Sequence, residues 1–252
     1  MRIKGVIYLA VVALALSSCK GEKRISRYSD IYQQNTETIY IAPINDLSAR
    51  RGVREMDDSL FNASLNVAAM QMYLTAAAPL TQRGYYVPGP LSSAQLAAAE
   101  PRSHKQLREG DLSDLHSGLG IDAVLLIDLI GWSQTNCSWT VEAEYMLRNT
   151  RSGAEIMKAH VTATKTVPTD FKGNPKPLRE DLAFAEQLGC DVETAQRCRL
   201  VEIVNQYVLR DIPAGSRARQ HKAERYLKPH PERFNLSIHR DGSVEILKDG
   251  EQ

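Results

Sequence analysis

Apolar residues are most concentrated at the start of the chain. Residues 6–16 (VIYLAVVALAL) form an uncharged apolar run, which is about half as long as the ~20 residues that a membrane-spanning helix needs. Arg2 and Lys4 precede this run, and small residues follow it up to Cys19. A positive start, a short apolar core and a small-residue end are the parts of a secretory signal peptide. The pattern therefore predicts a signal peptide over residues 1–18.

The rest of the chain has two hydrophobic periods. After Ser59, apolar residues recur at steps of three and four, which places them on one face of a long helix. Residues 139–148 alternate between apolar and polar side chains, as in a strand with one buried face. Residues 121–130 are apolar on both faces, as in an interior strand. We likewise predict strands at 38–43, 85–87, 154–167, 234–239 and 244–247, and helices at 59–83, 92–100, 111–119 and 192–210.

The order of these elements predicts the fold class. Strands alternate with helices in the first half, and two antiparallel strands and a helix follow, which is typical of an α/β domain whose mixed sheet is packed by helices. The mature length suits a single domain. We therefore divide the chain into a signal peptide (1–18), an N-terminal tether (19–37), an α/β domain (38–212) and a basic tail with a small hairpin (213–252).

Charge in the mature chain is balanced. Removing the signal peptide takes Arg2 and Lys4 from the 31 Lys and Arg residues, which leaves 29 against 30 acidic residues. That balance argues against a dedicated nucleic-acid binder. The segment 217–233 is locally basic, and it is either a contact for an anionic surface or an exposed linker to the final hairpin.

Besides Cys19, the mature chain has three cysteines, Cys137, Cys190 and Cys198. A signal peptide implies an oxidising compartment, where disulfides form. Cys190 and Cys198 are our candidate disulfide, which requires Cys190 to lie in a loop that folds back on the helix of Cys198, because the two Cα atoms must come within about 7 Å. Cys137 would then be a buried core residue.

No catalytic or cofactor motif is present. The six histidines lack the spacing of a helical metal site, no serine has a Gly-x-Ser-x-Gly context, and there is no phosphate-binding glycine loop. We therefore predict no enzyme, no cofactor and no metal. A cleft that gathers His104 or His116 with acidic side chains would favour an envelope enzyme instead.

The loop that follows the first strand is the candidate partner surface. It leaves the carboxyl end of residues 38–43, where open α/β sheets place binding sites. Its arginines suit an acidic partner, although a solvated loop explains them as well. The candidate residues are Asn45, Arg50, Arg51 and Arg54.

The end of the signal peptide, Leu16-Ser17-Ser18-Cys19, resembles the lipobox of bacterial lipoproteins. The resemblance implies that Cys19 carries lipid after cleavage before it; an ordinary signal peptide with an incidental cysteine is the alternative. Lys20 stands where an aspartate retains lipoproteins at the inner membrane in enteric bacteria, so the resemblance favours the outer membrane. We expect the domain to face the periplasm, and the cell exterior is the alternative, because the sequence does not specify the side.

Four further blocks resemble a bacterial lipoprotein family of unknown function that is typified by the Neisseria genome-derived vaccine-antigen lipoprotein. They are IYIAPINDLS, LTAAAPLTQRGYYVPGPL, DLHSGLGIDAVLLIDLIGW and VEAEYMLRNTRSGAEIMKAHVTAT, in residues 38–166. The family is similar in fold to the N-terminal domain of TolB and to the lipoprotein activators of penicillin-binding proteins. It is often encoded beside a curli-secretion-type lipoprotein. The resemblance weakens after Val167 and implies no catalytic residue.

These observations predict a lipid-anchored outer-membrane protein that acts without catalysis, as a protein-binding module of a secretion-type or assembly-type envelope complex or by self-association. Activation of a penicillin-binding protein is the first alternative, and an envelope enzyme is the second. The tether disfavours the activator, because even a fully extended chain over residues 20–37 reaches only about 60 Å.

Overall fold

The structure is a computed structural model that describes residues 28, 31, 35–47, 67–99, 102–135, 138–173, 176–215, 232–239 and 243–248. Its strands are β1 (Ile39–Ile41), β2 (Asn45–Asp46), β3 (Ala123–Gln134), β4 (Ser138–Asn149), β5 (Glu155–Thr166), β6 (Arg233–Ile238) and β7 (Val244–Lys248). Its helices are α1 (Val67–Gln82), α2 (Pro90–Ala99), α3 (His104–Glu109), α4 (Ser113–Leu119), α5 (Arg179–Leu188) and α6 (Val192–Leu209).

The strands form one seven-stranded mixed sheet. The order is β1-β3-β4-β5-β6-β7, and β2 pairs with β3 beyond the end of β1. β1 and β2 are parallel to β3, and β6 is parallel to β5, whereas β3-β4, β4-β5 and β6-β7 are antiparallel. Helices pack on both faces of this sheet, so the predicted α/β class with a mixed sheet is confirmed.

One face of the sheet carries the main core. Alternate residues of the strands, such as Leu125, Tyr145, Val161 and Phe234, point to this face and are buried together with Val204 of α6. Each such side chain contributes about 1.5–3 kcal/mol relative to remaining exposed. We call this side of the domain the helical face, because α1 and α6 pack against each other over it.

The elements that the structure describes cover the opposite face only in part. A smaller core forms where Leu107 of α3 and Leu115 of α4 pack on Val124, Leu126 and Met146. These residues occupy the beginning of β3 and the end of β4, so the short helices cover only that end of the sheet. The remaining residues on this side of β4, β5 and β6 are half-buried, except Thr166 and Arg233, which are exposed.

A buried hydrogen-bond network ties α1 and α6 to the sheet. The amide of Asn205, which is fully buried in α6, donates to the carbonyl of Met72 (2.8 Å) and the hydroxyl of Thr75 (2.7 Å). The Tyr145 hydroxyl donates to the Asn205 side-chain oxygen at 2.6 Å. Buried polar groups cost stability unless they are paired, and here the Asn205 side chain has a partner for each of its two atoms.

Tyr145→Phe is therefore expected to lower the free energy of unfolding by about 1–2 kcal/mol, because it leaves the buried Asn205 oxygen without this donor. Urea unfolding followed by circular dichroism measures the change. Tyr86→Phe is the matched control, since the Tyr86 side chain is 55% exposed, and it should change stability by less than about 0.5 kcal/mol. Equal effects of the two substitutions would contradict this account of Asn205.

Several elements differ from the sequence predictions. Pro79 at first suggests a kink or break within the predicted helix 59–83, but α1 continues through it to Gln82. Residues 85–87 form only an isolated bridge between Tyr86 and Thr38. α3 was not predicted, although its capping box, in which Ser103 and Gln106 bond reciprocally, is visible in the sequence. α5 was also not predicted, because the proline-rich residues before it read as a continuing loop.

The two ends of the domain also differ from the division made from sequence. β6 pairs with β5 over residues 233–238, so the final hairpin extends the main sheet and is not part of a separate tail. Tyr28 and Ile31 are buried in the main core. The segment predicted as a tether over residues 19–37 therefore contains residues that belong to the domain.

Candidate functional site

Five polar side chains are aligned across the sheet. Asn45 of β2 is in register with Asp128 of β3, and Asp128 is in register with Glu144 of β4. Glu144 is opposite His160 of β5, which is beside Arg233 of β6. Residues in register share a face of the sheet, so Asn45, Asp128, Glu144, His160 and Arg233 form what we call the polar row.

Asp128 is the buried centre of the polar row. Its residue exposure is 7%, and three side chains contact its carboxylate. Asn45 Nδ2 donates to Oδ1 at 2.9 Å, His104 Nε2 lies 3.2 Å from Oδ1, and Arg108 Nη2 donates to Oδ2 at 2.5 Å. A buried carboxylate requires this kind of pairing, because transferring a charge out of water is costly.

Arg108 joins two strands through one guanidinium group. While Nη2 contacts Asp128, Nη1 donates to Glu144 Oε1 at 2.8 Å. Burial alone would raise the pKa of Glu144, but the hydrogen bond and the charge of Arg108 lower it, with help from Lys158 and His160, so that the pKa lies below its ordinary value. Glu144 is therefore a carboxylate at neutral pH, and the guanidinium fixes its orientation.

Short α3 places both basic side chains over the sheet. His104 and Arg108 are four residues apart, so they lie on the same side of the helix. The C-terminal end of α3 is held by Arg148, which is buried in β4 and donates to the carbonyls of Leu107 (2.7 Å) and Gly110 (3.2 Å). Burial lowers the pKa of Arg148. The helix is thus attached to the sheet at both ends.

Beyond α3, the same side of the sheet is polar and half-exposed. Two cross-strand contacts order it: Thr140 Oγ1 and Thr164 Oγ1 are 3.1 Å apart, and His160 Nε2 lies 3.0 Å from Glu142 Oε1. The surface presents hydroxyl, amide and carboxylate groups at fixed strand spacing, which suits contact with another polar macromolecule. We call it the open sheet face, and its residues are Thr140, Glu142, Glu144, His160, Thr162, Thr164, Asn235 and Ser237.

The low pKa of Glu144 predicts a pH dependence of stability. A carboxyl group whose pKa is lower in the folded state stabilises the protein above its unfolded pKa, and that contribution is lost as the pH falls through the folded value. We expect the stability of the protein to fall below about pH 4.5, and we expect Glu144→Gln to make this fall shallower. Urea unfolding at a series of pH values measures it.

Glu186→Gln, on the exposed part of α5, is the matched control for this pH experiment and should retain the full acid dependence. If Glu144→Gln and the unchanged protein have the same pH profile, the account of the Arg108–Glu144 pair is contradicted.

The structure describes some of the site residues that were selected from the sequence, and the others lie outside the described residues. Asn45 lies in the polar row, where it donates to Asp128. Cys19, Arg50, Arg51 and Arg54 lie outside the described residues, as does Cys137, so their roles stay predictions.

The predicted disulfide is not formed in the structure, where Cys190 and Cys198 are both free thiols. Cys190 follows Gly189, which ends α5 with φ +64°, so it lies in the turn before the helix of Cys198. Burial, followed by the nearby Cys190, raises the pKa of the Cys198 thiol to about 11. The disulfide stays a prediction, and Cys190 has the loop position that the bond requires.

The two histidines that the sequence analysis named for a cleft, His104 and His116, each contact an acidic side chain. Besides His104 at Asp128, His116 Nδ1 lies 3.4 Å from Asp122 Oδ1. The Asp122 carboxylate has a structural role, because its Oδ2 accepts hydrogen bonds from the backbone N–H groups of Glu37 and Thr38. A hollow of about 550 Å³ lies elsewhere, in the loop after β5, and its lining residues include no histidine: Thr169, Asp170, Phe171, Lys176 and Pro177.

The described part of the chain contains neither a metal-ligand cluster nor a helix that could span a membrane. Among these residues, no three His, Cys, Asp or Glu side chains are grouped as a metal site requires. No helix in the described ranges has the length and apolar character to cross a membrane.

Sequence reasoning missed Asp128, Arg108 and Glu144. Asp128 could have been found, because it is the one charged side chain inside the apolar run 123–130, and a charge in an interior strand needs a partner. The identity of that partner could not be predicted, since Arg108 lies in a six-residue helix twenty residues away.

No family model matches this chain, and no curated protein matches it significantly. Among solved structures, lipoprotein GNA1162 from Neisseria meningitidis is similar (21% identity, TM-score 0.40), covering 54% of this chain and 88% of that one. The PelC dodecamer from Paraburkholderia phytofirmans is 12% identical, with a TM-score of 0.38, and the match covers 74% of this chain and 91% of the PelC chain. The LpoB C-terminal domain from Salmonella enterica is 12% identical, with a TM-score of 0.30, and the match covers 50% of this chain and 82% of the LpoB domain.

A Neisseria lipoprotein is thus among these structures, as the sequence resemblance predicted. At these identities and TM-scores the likeness concerns the fold, and nothing about function follows from it.

Proposed function

We propose that this chain is a lipid-anchored outer-membrane protein that acts without catalysis and binds another envelope protein through the open sheet face. The observation that carries the proposal is the asymmetry of the sheet. The helical face is buried under α1 and α6, whereas the described elements cover the other face at one end only, and its residues over β4, β5 and β6 are polar and half-buried. A non-obligate protein interface is about as polar as the rest of a protein surface, so this composition suits a reversible partner.

The anchor determines which partners are within reach. Tyr28 is fully buried in the core, so only residues 20–27 separate it from Cys19. Even a fully extended chain of that length spans only about 30 Å. Lipidation of Cys19 would therefore keep the domain close to the membrane that holds the lipid.

This short reach supports a partner at the same membrane, such as a curli-secretion-type lipoprotein or a second copy of this chain. Activation of a penicillin-binding protein is the alternative, and it requires the synthase to extend toward the outer membrane.

The contact between His104 and Asp128 supports an envelope enzyme as the remaining candidate, since paired histidine and carboxylate groups serve acid–base chemistry. Several features favour a structural role instead. Asp128 is buried and is shared by three side chains, and its contact with Arg108 fixes a helix to the sheet. The hollow after β5 contains neither residue.

The experiment is an affinity purification of the full-length lipidated protein, cross-linked in intact cells and analysed by mass spectrometry. Recovery of an outer-membrane lipoprotein or of a second copy supports the proposal, and recovery of a penicillin-binding protein supports the activator. A sample with no specific protein contradicts a binding role and favours the enzyme. The control is a Cys19→Ala chain exported by the leader of a soluble periplasmic protein in place of residues 1–18, because it should lose any partner that depends on the anchor.

A further inference from the structure

The loop between β5 and α5 exposes an aromatic side chain. Phe171 is 94% exposed, more than any other large apolar residue of the described chain. A single exposed apolar residue is common on protein surfaces, so the exposure carries meaning only through its surroundings.

The surroundings of Phe171 are basic. Lys172 Nζ lies 5.5 Å from the centroid of the Phe171 ring, and the exposed side chains of Lys176 and Arg179 follow in the same loop and in the first turn of α5. We call Phe171, Lys172, Lys176 and Arg179 the Phe171 loop.

The two acidic residues in this stretch are engaged locally. Asp170 Oδ1 accepts from the backbone N–H of Lys172 at 2.8 Å, and Glu180 Oε2 lies 3.3 Å from Arg199 Nη1. Lys172, Lys176 and Arg179 outnumber Asp170 and Glu180, so the net charge of this stretch is positive.

An exposed aromatic ring among cations matches the chemistry of an anionic lipid surface. Aromatic rings settle at the boundary between headgroups and acyl chains, and lysine and arginine side chains are attracted to the phosphates above that boundary. A protein partner would have to supply both an apolar pocket and acidic groups, whereas one anionic phospholipid leaflet supplies both.

The anchor makes such a weak contact effective. With Tyr28 in the core and Cys19 nine residues before it, the domain stays within about 30 Å of the leaflet that holds the lipid. Contact by the loop is then an intramolecular event at a high effective concentration, so one aromatic ring and a few cations suffice.

We infer that the Phe171 loop is a second membrane contact, which inserts the Phe171 ring into the anionic leaflet that holds the Cys19 lipid. The inference rests on the lipid anchor of the proposed function. The loop follows Thr166, which pairs with Ser138 at the β3–β4 hairpin, so the hairpin end of the sheet faces the membrane. The open sheet face then stands at the side of the domain, accessible to a neighbouring protein.

Tryptophan fluorescence in vesicles tests this inference. The full-length lipidated Phe171→Trp protein is reconstituted into vesicles of three parts phosphatidylethanolamine to one part phosphatidylglycerol, with and without brominated acyl chains. The difference from the unchanged protein removes the signal of Trp132 and Trp139. We expect brominated lipid to reduce the added emission by roughly half or more, because a ring at the acyl boundary meets the bromine atoms.

Tyr86→Trp is the matched control, since Tyr86 is an exposed aromatic residue that bridges Thr38 at the opposite end of the sheet, and its added emission should be unaffected. Adding Lys172→Glu and Lys176→Glu to Phe171→Trp should lower the quenched fraction about five-fold or more. In vesicles of phosphatidylcholine these charge reversals should have little effect.

Flotation of the vesicles distinguishes a failure of the loop contact from a failure of the lipid anchor. A Phe171→Trp protein that floats but whose added emission is not quenched, or is quenched no more than that of the Tyr86→Trp control, overturns the loop contact and leaves the anchor standing. Quenching that the charge reversals do not change overturns the anionic specificity. A protein that does not float with the vesicles overturns the anchor, and with it the proposed function from which this inference starts.

Discussion

A chain with alanine at position 19, exported by the leader of a soluble periplasmic protein in place of residues 1–18, is expected to leave the membrane fraction completely. Acyl chains on Cys19 would hold the protein by about 0.8 kcal/mol per buried methylene, and two or more chains make release slow. The leader must be exchanged, because an uncleaved apolar run over residues 6–16 would itself attach the chain to the membrane. Membrane fractionation and immunoblotting measure the outcome.

The matched control is Cys137→Ala with the native leader, which should remain entirely with the membrane because it keeps the lipobox. Intact-mass analysis of this control should give a mature chain that begins at residue 19 and carries the mass of the lipid. A position-19 alanine chain that stays in the membrane pellet would contradict the anchor, and an unmodified residue 19 would favour an ordinary signal peptide.

Arg108→Leu is the second substitution with a large expected effect. It removes the guanidinium shared by Asp128 and Glu144, whose side chains are only 10% and 19% exposed. Removing one member of a mostly buried charge cluster leaves uncompensated charges, so we expect a loss of about 3 kcal/mol in the free energy of unfolding. In a domain of this size that loss lowers Tm by roughly 6–12 °C, which thermal unfolding measures.

Two further variants make the interpretation specific. Arg151→Leu is the matched control, since Arg151 is 48% exposed and lies 3.7 Å from Asp122, and exposed ion pairs contribute about 0–1 kcal/mol. Adding Asp128→Asn to Arg108→Leu should recover part of the stability, because it removes the buried charge that lost its partner. If Arg108→Leu and Arg151→Leu cost the same, the polar row does not hold α3 to the sheet.

The alternation of apolar residues was sufficient to predict most long elements. β4 was predicted because half-buried and buried side chains alternate from Ser138 to Tyr145, and in β5 the same alternation runs from Met157 to Lys165, a pattern that the local sequence indicates. The same holds for α6, whose Val201, Val204 and Val208 recur at helical spacing. Short elements escaped, because the six residues of α3 give less than two turns of periodicity.

Asn45 is the one member of the polar row that was predicted from the sequence. Asn45 follows a buried strand, and that position drew attention to it. The other members of the polar row are separated from it by 83 residues or more, and they meet because β2, β3, β4, β5 and β6 pair in one specific register. Register depends on long-range pairing that no local pattern encodes, so Asp128, Glu144, His160 and Arg233 could not be assembled from the sequence.

The final hairpin illustrates the same limit. Phe234, Leu236 and Ile238 alternate clearly enough to predict a strand, and each is about 1% exposed in the main core. Nothing in that alternation says which edge the strand joins. The basic residues before it suggested a separate tail, whereas the parallel pairing with β5 makes it part of the domain.

Site-specific photo-cross-linking in living cells tests the central claim most directly. A photoreactive residue replaces Thr162, at the middle of the open sheet face, and in a second chain it replaces Gln206, which is exposed on α6 of the helical face. We predict one dominant cross-linked envelope protein at position 162 and none at position 206. Equal cross-linking at both positions, or none at position 162 in a lipidated and folded protein, would contradict the open sheet face as the docking surface.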